Sequence, residues 1–175
     1  MQVGEKSACS LEQLKNALIS NLPDENVIIS SALPDPSDAY DTSRDQYHST
    51  RILAMLEEQL QNIPANRLLG VTASDLFVPG MNFVFGEARC PGPVAVISTS
   101  RLKTKTGETR LFNERVLKEA THEIGHMFGL RHCDNRLCVM HFSESIEDTD
   151  EKKWTFCENC LTHLERRNVE QEIQS

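Results

Sequence analysis

His122-Glu123-Ile124-Gly125-His126 sets two imidazoles four residues apart, with a carboxylate beside the first. On an α-helix, positions four apart share a face, so both rings can hold one metal ion. Glu123 lies about 100° further round the helix. It cannot point where the imidazoles point, but it can reach a water on the same ion. Gly129 can take φ > 0 and end the helix, and a turn there returns His132 as a third ligand. Three histidines with an open fourth position describe a catalytic zinc site and not a closed structural one.

Four of the six cysteines follow this stretch: Cys133, Cys138, Cys157 and Cys160. The last two form a C-x-x-C knuckle and the first two are separated by four residues. This is close to the spacing of a four-cysteine structural zinc site. Such a shell has no open position, so its role is in folding. Tetrahedral all-sulfur ligation also suits iron, and spacing alone leaves that choice open. Cys133 follows His132 directly, so metal at the thiolates should help fix His132. Cys9 and Cys90 have no partner pattern and read as ordinary small apolar residues.

The elements that must position these groups can be read from the rest of the chain. At 175 residues one domain is expected. Apolar residues make up 39% and charged residues 25%, a composition suited to a globular protein. The net charge of −8 comes with no long Lys/Arg cluster, so the electrostatic footprint of a nucleic-acid binder is missing. No run approaches the ~20 apolar residues of a membrane span, and Met1–Ser7 has no apolar core for a signal peptide. A cytoplasmic or nucleocytoplasmic location is expected, where clustered cysteines bind metal more often than they form disulfides.

Residues 10–22 predict a helix, with a Ser10–Gln13 capping box and an apolar stripe of Leu11, Leu14, Ala17, Leu18 and Leu22. Pro23–Asn26 predicts a turn, Val27–Ser30 a short buried strand, and residues 32–42 a loop. A second helix is expected over 44–62, capped by Ser43 and Gln46, with Ile52, Leu53, Leu56, Leu60 and Ile63 buried and Pro64 at its end. Strands follow at Arg67–Ala73, Asn82–Arg89 and Val94–Thr99, with a loop of core-plugging residues at 75–80. Gly86 within the middle strand suggests a bulge or a close backbone approach. The metal helix is expected to start near Asn113, with Val116, Leu117, Ala120, Ile124, Met127 and Phe128 inward. A Cys-bearing turn and a charged helix close the chain over 157–172. This order predicts an α/β (α+β) fold, a sheet layered with helices.

The string from His122 to Cys160 resembles the archaemetzincins, whose pattern is HExxHxxGxxH, then at once Cys, four residues, Cys, one residue, Met, a spacer and CxxC. The matching residues are His122, Glu123, His126, Gly129, His132, Cys133, Cys138, Met140, Cys157 and Cys160. The resemblance implies a metzincin-like mixed twisted sheet over an active-site helix, in a single metalloprotease domain over 1–175. It implies an N-terminal subdomain (1–129) ending at that helix and a small zinc-knuckle subdomain (130–175), with the cleft between them. Met140 would lie in the turn beneath the metal, and an edge strand (Asn82–Arg89 is the candidate) would pair with an extended peptide. His141 reads as a turn residue without catalytic duty. The family's sheet usually begins with a strand before the first helix. Met1–Ala8, with Val3 its only strong strand former, leaves room for a minimal strand or marks a shortened form.

The expected activity is zinc-dependent hydrolysis of peptide bonds in a peptide or protein substrate, with two zinc ions per chain. Glu123 is the expected general base for the attacking water. Some metzincins place a tyrosine shortly after the turn methionine; Met140-His141-Phe142 offers none. The alternative is a zinc-stabilised protein-interaction module with a dormant histidine site. Such a module has no need for Glu123.

Overall fold

The structure is a computed structural model that describes all residues except Glu5, residues 23–25, Lys105 and Ser175; beyond residue 166 it describes backbone alone. Its centre is a three-stranded mixed sheet in the order β3-β6-β5. Strand β3 (Leu68–Thr72) runs parallel to β6 (Val94–Ser98), and β5 (Gly86–Ala88) lies antiparallel to β6 at the edge. All five residues of β6 are buried, the pattern of a strand covered on both faces. A smaller sheet joins β1 (Tyr40–Asp41), β2 (Gln46–His48) and β4 (Leu76–Phe77). A single antiparallel bridge, Leu76–Val84, leads from it towards the edge of the main sheet.

Helices cover both faces. Helix α2 (Ser49–Leu60) buries Ile52, Leu53 and Leu56 completely, against a cluster that includes Val3, Leu68, Val94 and Val96. Helix α1 (Leu11–Asn21) and helix α3 (Thr109–Met127) enclose the second cluster, with Leu14, Leu18, Ile97, Val116 and Ala120. A third cluster, Leu130, Cys138, Val139, Met140, Phe156 and Cys160, lies C-terminal to α3. Helices α4 (Ile146–Glu151) and α5 (Glu158–Gln174) complete the chain. No helix among the described residues is long and apolar enough to cross a membrane.

The mixed α+β class expected from the sequence stands, with several boundaries moved. Val27–Ser30 makes no ladder, and Ile28 and Ile29 are exposed. The outer edge of β3 is already taken by the N-terminus: Val3 donates its amide to Val71 O and Val71 donates to Met1 O. The N-terminal strand is therefore minimal, a pair of parallel bridges at Gln2 and Val3. The turn expected at Pro23–Asn26 falls largely on residues outside those described. Helix α2 starts at Ser49, five residues later than expected. Asp41 Oδ1 accepts from the amides of Ser43 and Arg44, and the resulting turn leads into the β1–β2 pair. Gln46 is buried there, its amide donating to Asp75 and to Asn82 O, so no Ser43–Gln46 cap forms.

Ser10 does cap α1, accepting from the Gln13 amide at 3.4 Å. The Gln13 side chain turns instead to Asn113, which donates to it. Asn113 is thus inside α3, which begins at Thr109. Leu76 and Phe77, read as plugging residues in a loop, are buried and also form β4. Of the Asn82–Arg89 strand, Gly86–Ala88 forms the ladder with β6, and hydrogen bonds from Ser98 to Phe85 O and from Arg89 to Val94 O flank it.

Candidate active site

Helix α3 carries His122, Glu123 and His126 into a cleft of about 860 Å³, where β5 and the 142–144 segment form part of the walls. The helix ends in a Schellman motif: Leu130 N donates to Gly125 O at 2.9 Å and Gly129 N to His126 O at 2.7 Å. Gly129 has φ +87°, the left-handed conformation glycine reaches most easily. This turn brings His132 back over the helix. One nitrogen from each of His122, His126 and His132 falls in a group whose members all lie within 4.8 Å of one another.

On His122 and His126 the ring nitrogen that faces away from this group is already committed. His122 Nδ1 donates to Val139 O at 2.7 Å, and His126 Nδ1 donates to Leu130 O at 2.7 Å. Each neutral ring then bears its lone pair on Nε2. The two Nε2 atoms stand 3.1 Å apart. Two lone pairs cannot hydrogen-bond to each other, but they can share a cation. Carbonyl partners of this kind fix the tautomer of ligating histidines. Burial, then Lys152 and His126, holds His122 well below the usual imidazole value. Burial, His126 and Lys152 bring His132 down to about 4. Burial likewise lowers His126, against its bond to Leu130. All three rings are therefore neutral near pH 7, the form that binds metal.

Glu123 is buried, and its Oε2 has no hydrogen-bond partner. Burial holds its carboxyl well above the ordinary range, and the neighbouring charge of Glu119 adds to this. Gly86 of β5 approaches it closely: a Cβ there would lie 2.5 Å from Glu123 Oε1. The glycine inside the predicted strand is thus the close approach its position suggested. Gly86→Ala should push the carboxylate out of place and lower kcat at least tenfold, since a misplacement of about 1 Å costs on the order of 100-fold. Steady-state kinetics with melting curves checks this; unchanged kcat would show that the position of Glu123 does not matter.

The four cysteines also converge. Cys133, Cys138, Cys157 and Cys160 offer sulfurs within 4.8 Å of one another. Cys133 and Cys157 Sγ are 3.8 Å apart, and Cys138 and Cys160 Sγ 3.7 Å. These separations are far from a disulfide. They match the edge of a tetrahedron with metal–sulfur bonds of about 2.3 Å, about 3.8 Å. Burial pushes the Cys157 thiol up, but hydrogen bonds from the Cys160 amide and the neighbouring thiols outweigh it, leaving Cys157 at about 7. Cys9 is buried and Cys90 exposed, both outside this group.

Met140 is fully buried beneath α3, where a Cβ on Gly125 would strike its thioether. His141 Nδ1 donates to Cys133 O at 3.0 Å, a contact that closes the 133–141 loop. Sequence reasoning missed the polar network behind the metal helix. Lys152 is buried and pairs with buried Glu119 at 3.0 Å, and Thr149 donates to the same carboxylate. Lys152 Nζ also donates to His141 O. Arg115 forms two bonds to the Asp150 carboxylate. This network ties α4 to α3. Ser145 and Asp148 form a capping box at the start of α4, and the S-x-x-D spacing was the available signal for that helix.

The sequence profile of peptidase family M54 matches residues 15–166. The chain is 45% identical to the archaemetzincin of Archaeoglobus fulgidus over 160 residues, which cover 91% of this chain and 89% of that one. It is similar to the crystal structure of the Methanopyrus kandleri archaemetzincin, with a TM-score of 0.81 and 36% identity over 96% of this chain and 93% of that one. The Archaeoglobus fulgidus crystal structure gives a TM-score of 0.77 and 41% identity, covering 93% and 96% of the two chains. The chain belongs to peptidase family M54, the archaemetzincins, a family of zinc metallopeptidases.

Proposed function

We propose that the chain hydrolyses peptide bonds at the histidine cluster, with Glu123 as general base and zinc held by His122, His126 and His132. A second zinc is assigned to Cys133, Cys138, Cys157 and Cys160, in the C-terminal subdomain expected over 130–175, of which Met140 and Phe156 lie close to Gly125 of the metal helix. The observation that carries this reading is the pair of Nε2 atoms 3.1 Å apart, each ring held by a carbonyl on its other nitrogen. A cation suits that geometry; a protein hydrogen bond does not.

Zinc, when bound, polarises a carbonyl and lowers the pKa of water towards neutrality. The chain's own residues do the rest. The free edge of β5 presents backbone amide and carbonyl groups along the cleft, where an extended peptide can pair with them. The hydroxyls of Ser49 and Thr50 donate to Glu87 and pin β5 to the start of α2. Glu123 Oε2, buried and unpartnered, accepts a proton from the attacking water. The water oxygen bonds to the carbonyl carbon and the C=O electron pair moves onto the carbonyl oxygen. As that carbonyl re-forms, the C–N bond breaks and Glu123 returns the proton to the leaving amine. A raised pKa suits a group that must both take and give a proton near neutrality. The test is cleavage of a mixed peptide library, read by mass spectrometry, with wild type and Glu123→Gln both loaded with zinc. Products from the wild type alone support the reading; products from neither overturn it.

A further inference from the structure

The carbonyl oxygen gains charge as water attacks, and the structure holds an uncommitted donor beside the site. We infer that the Ser143 hydroxyl is a catalytic group, donating a hydrogen bond to the scissile carbonyl oxygen as it becomes an oxyanion. This rests on the peptidase reading above.

Among the described residues, four buried side-chain polar atoms have no partner: His48 Nδ1, Thr104 Oγ1, Glu123 Oε2 and Ser143 Oγ. Buried polar groups are nearly always paired, so each exception needs a reason. Glu123 and Ser143 both belong to residues that line the cleft. For Glu123 the missing partner is the attacking water. For Ser143 it is the oxygen of a bound substrate.

The placement fits. Ser143 follows Phe142, whose ring packs 4.8 Å from the His132 ring, and lies three residues beyond Met140. The backbone on both sides is held. Lys152 donates to His141 O at 3.4 Å. The amides of Glu144 and Ser145 both donate to Asp148 Oδ2, at 3.1 and 3.0 Å. With the main chain fixed, the hydroxyl moves only about χ1, among three staggered positions. For the hydroxyl to reach the substrate oxygen, one of these rotamers must turn it towards the cleft that Ser143 lines. A single χ1 rotation on a held main chain is a small reorganisation for a donor to the developing charge.

Other donors at the cleft are less suited. Thr50 Oγ1 already donates to Glu87 at 2.9 Å. His141 Nδ1 is engaged with Cys133 O. Arg131 lines the cleft but is exposed, so its cation is solvated and loosely held.

The test uses zinc-loaded wild type, Ser143→Ala and Ser143→Thr on one peptide taken from the library. Turnover and KM are read separately, zinc content is measured, and affinity for a peptide phosphinate is read by calorimetry. Phosphinate oxygens stand where the oxyanion forms. Ser143→Ala should lower kcat at least tenfold, towards the loss of about 100-fold typical of one oxyanion donor. KM and zinc content should stay within about twofold of wild type, and phosphinate affinity should fall at least tenfold with kcat. Ser143→Thr should retain most of the turnover. A wild type that cleaves while Ser143→Ala matches it within twofold overturns this inference alone. A loss in Ser143→Ala accompanied by lost zinc overturns it as a structural effect. A wild type that cleaves nothing overturns the peptidase reading and this inference together.

Discussion

Glu123→Gln is expected to lower kcat by about 10²–10⁴-fold, the range for a lost general base, while the metal content stays unchanged. The substitution keeps shape and volume, which matters because the backbone of Gly86 leaves no spare room beside Oε1. It removes only the ability to accept and return a proton. Glu123 is not among the groups that converge for metal binding, so neither ion should leave. Stability should rise, because a buried carboxyl with an unpartnered oxygen and Glu119 for a neighbour is costly to ionise. Activity loss joined to a higher Tm would separate a catalytic role from a structural one. Full activity in this variant would show that Glu123 is not the base.

Cys138→Ser should have the other large effect, and at both sites. Cys138 is buried, its sulfur lies 3.7 Å from Cys160 Sγ, and it accepts the Cys157 amide at 3.4 Å. A metal present at a thousand times its dissociation constant stabilises by about 4 kcal/mol. Losing it should lower Tm by about 8–16 °C, at about 2–4 °C per kcal/mol for a chain of this size. The damage should spread, because the loop carrying Cys138 also holds two of the three histidines. Val139 O fixes the His122 ring, and Cys133 follows His132 directly. Losing such outer partners typically costs 10–100-fold in metal affinity. Titration with cobalt, whose absorption distinguishes nitrogen from sulfur ligation, reads both sites in one experiment. An unchanged affinity at the histidines would show the two centres to be independent.

The groups that could be read from the sequence are those set by short-range geometry. His122 and His126 are one helical turn apart, Gly129 caps the helix, and the C-x-x-C pair needs only a tight turn. What escaped depends on distant segments meeting. Glu119 and Lys152 are an ordinary acid and base in sequence, and only the packing of α4 on α3 buries them as a pair. Ser143 is one serine in a polar stretch until the fold sets it in the wall of the cleft that His132 also lines. Val27–Ser30 failed for a related reason. β-branched residues fit a pleated surface, but the edge they needed is taken by Met1–Val3. Helix α4, Ile146–Glu151, has too few apolar residues to show a helical period, although its capping box was legible.

The proposed mechanism needs two separate metal centres, with the chemistry at the histidines. Metal content per chain, measured by elemental mass spectrometry on wild type and His126→Ala, tests it most directly. The prediction is two zinc ions in the wild type and one in the variant, because the four thiolates do not depend on His126. A wild type holding a single zinc that His126→Ala leaves in place would contradict it.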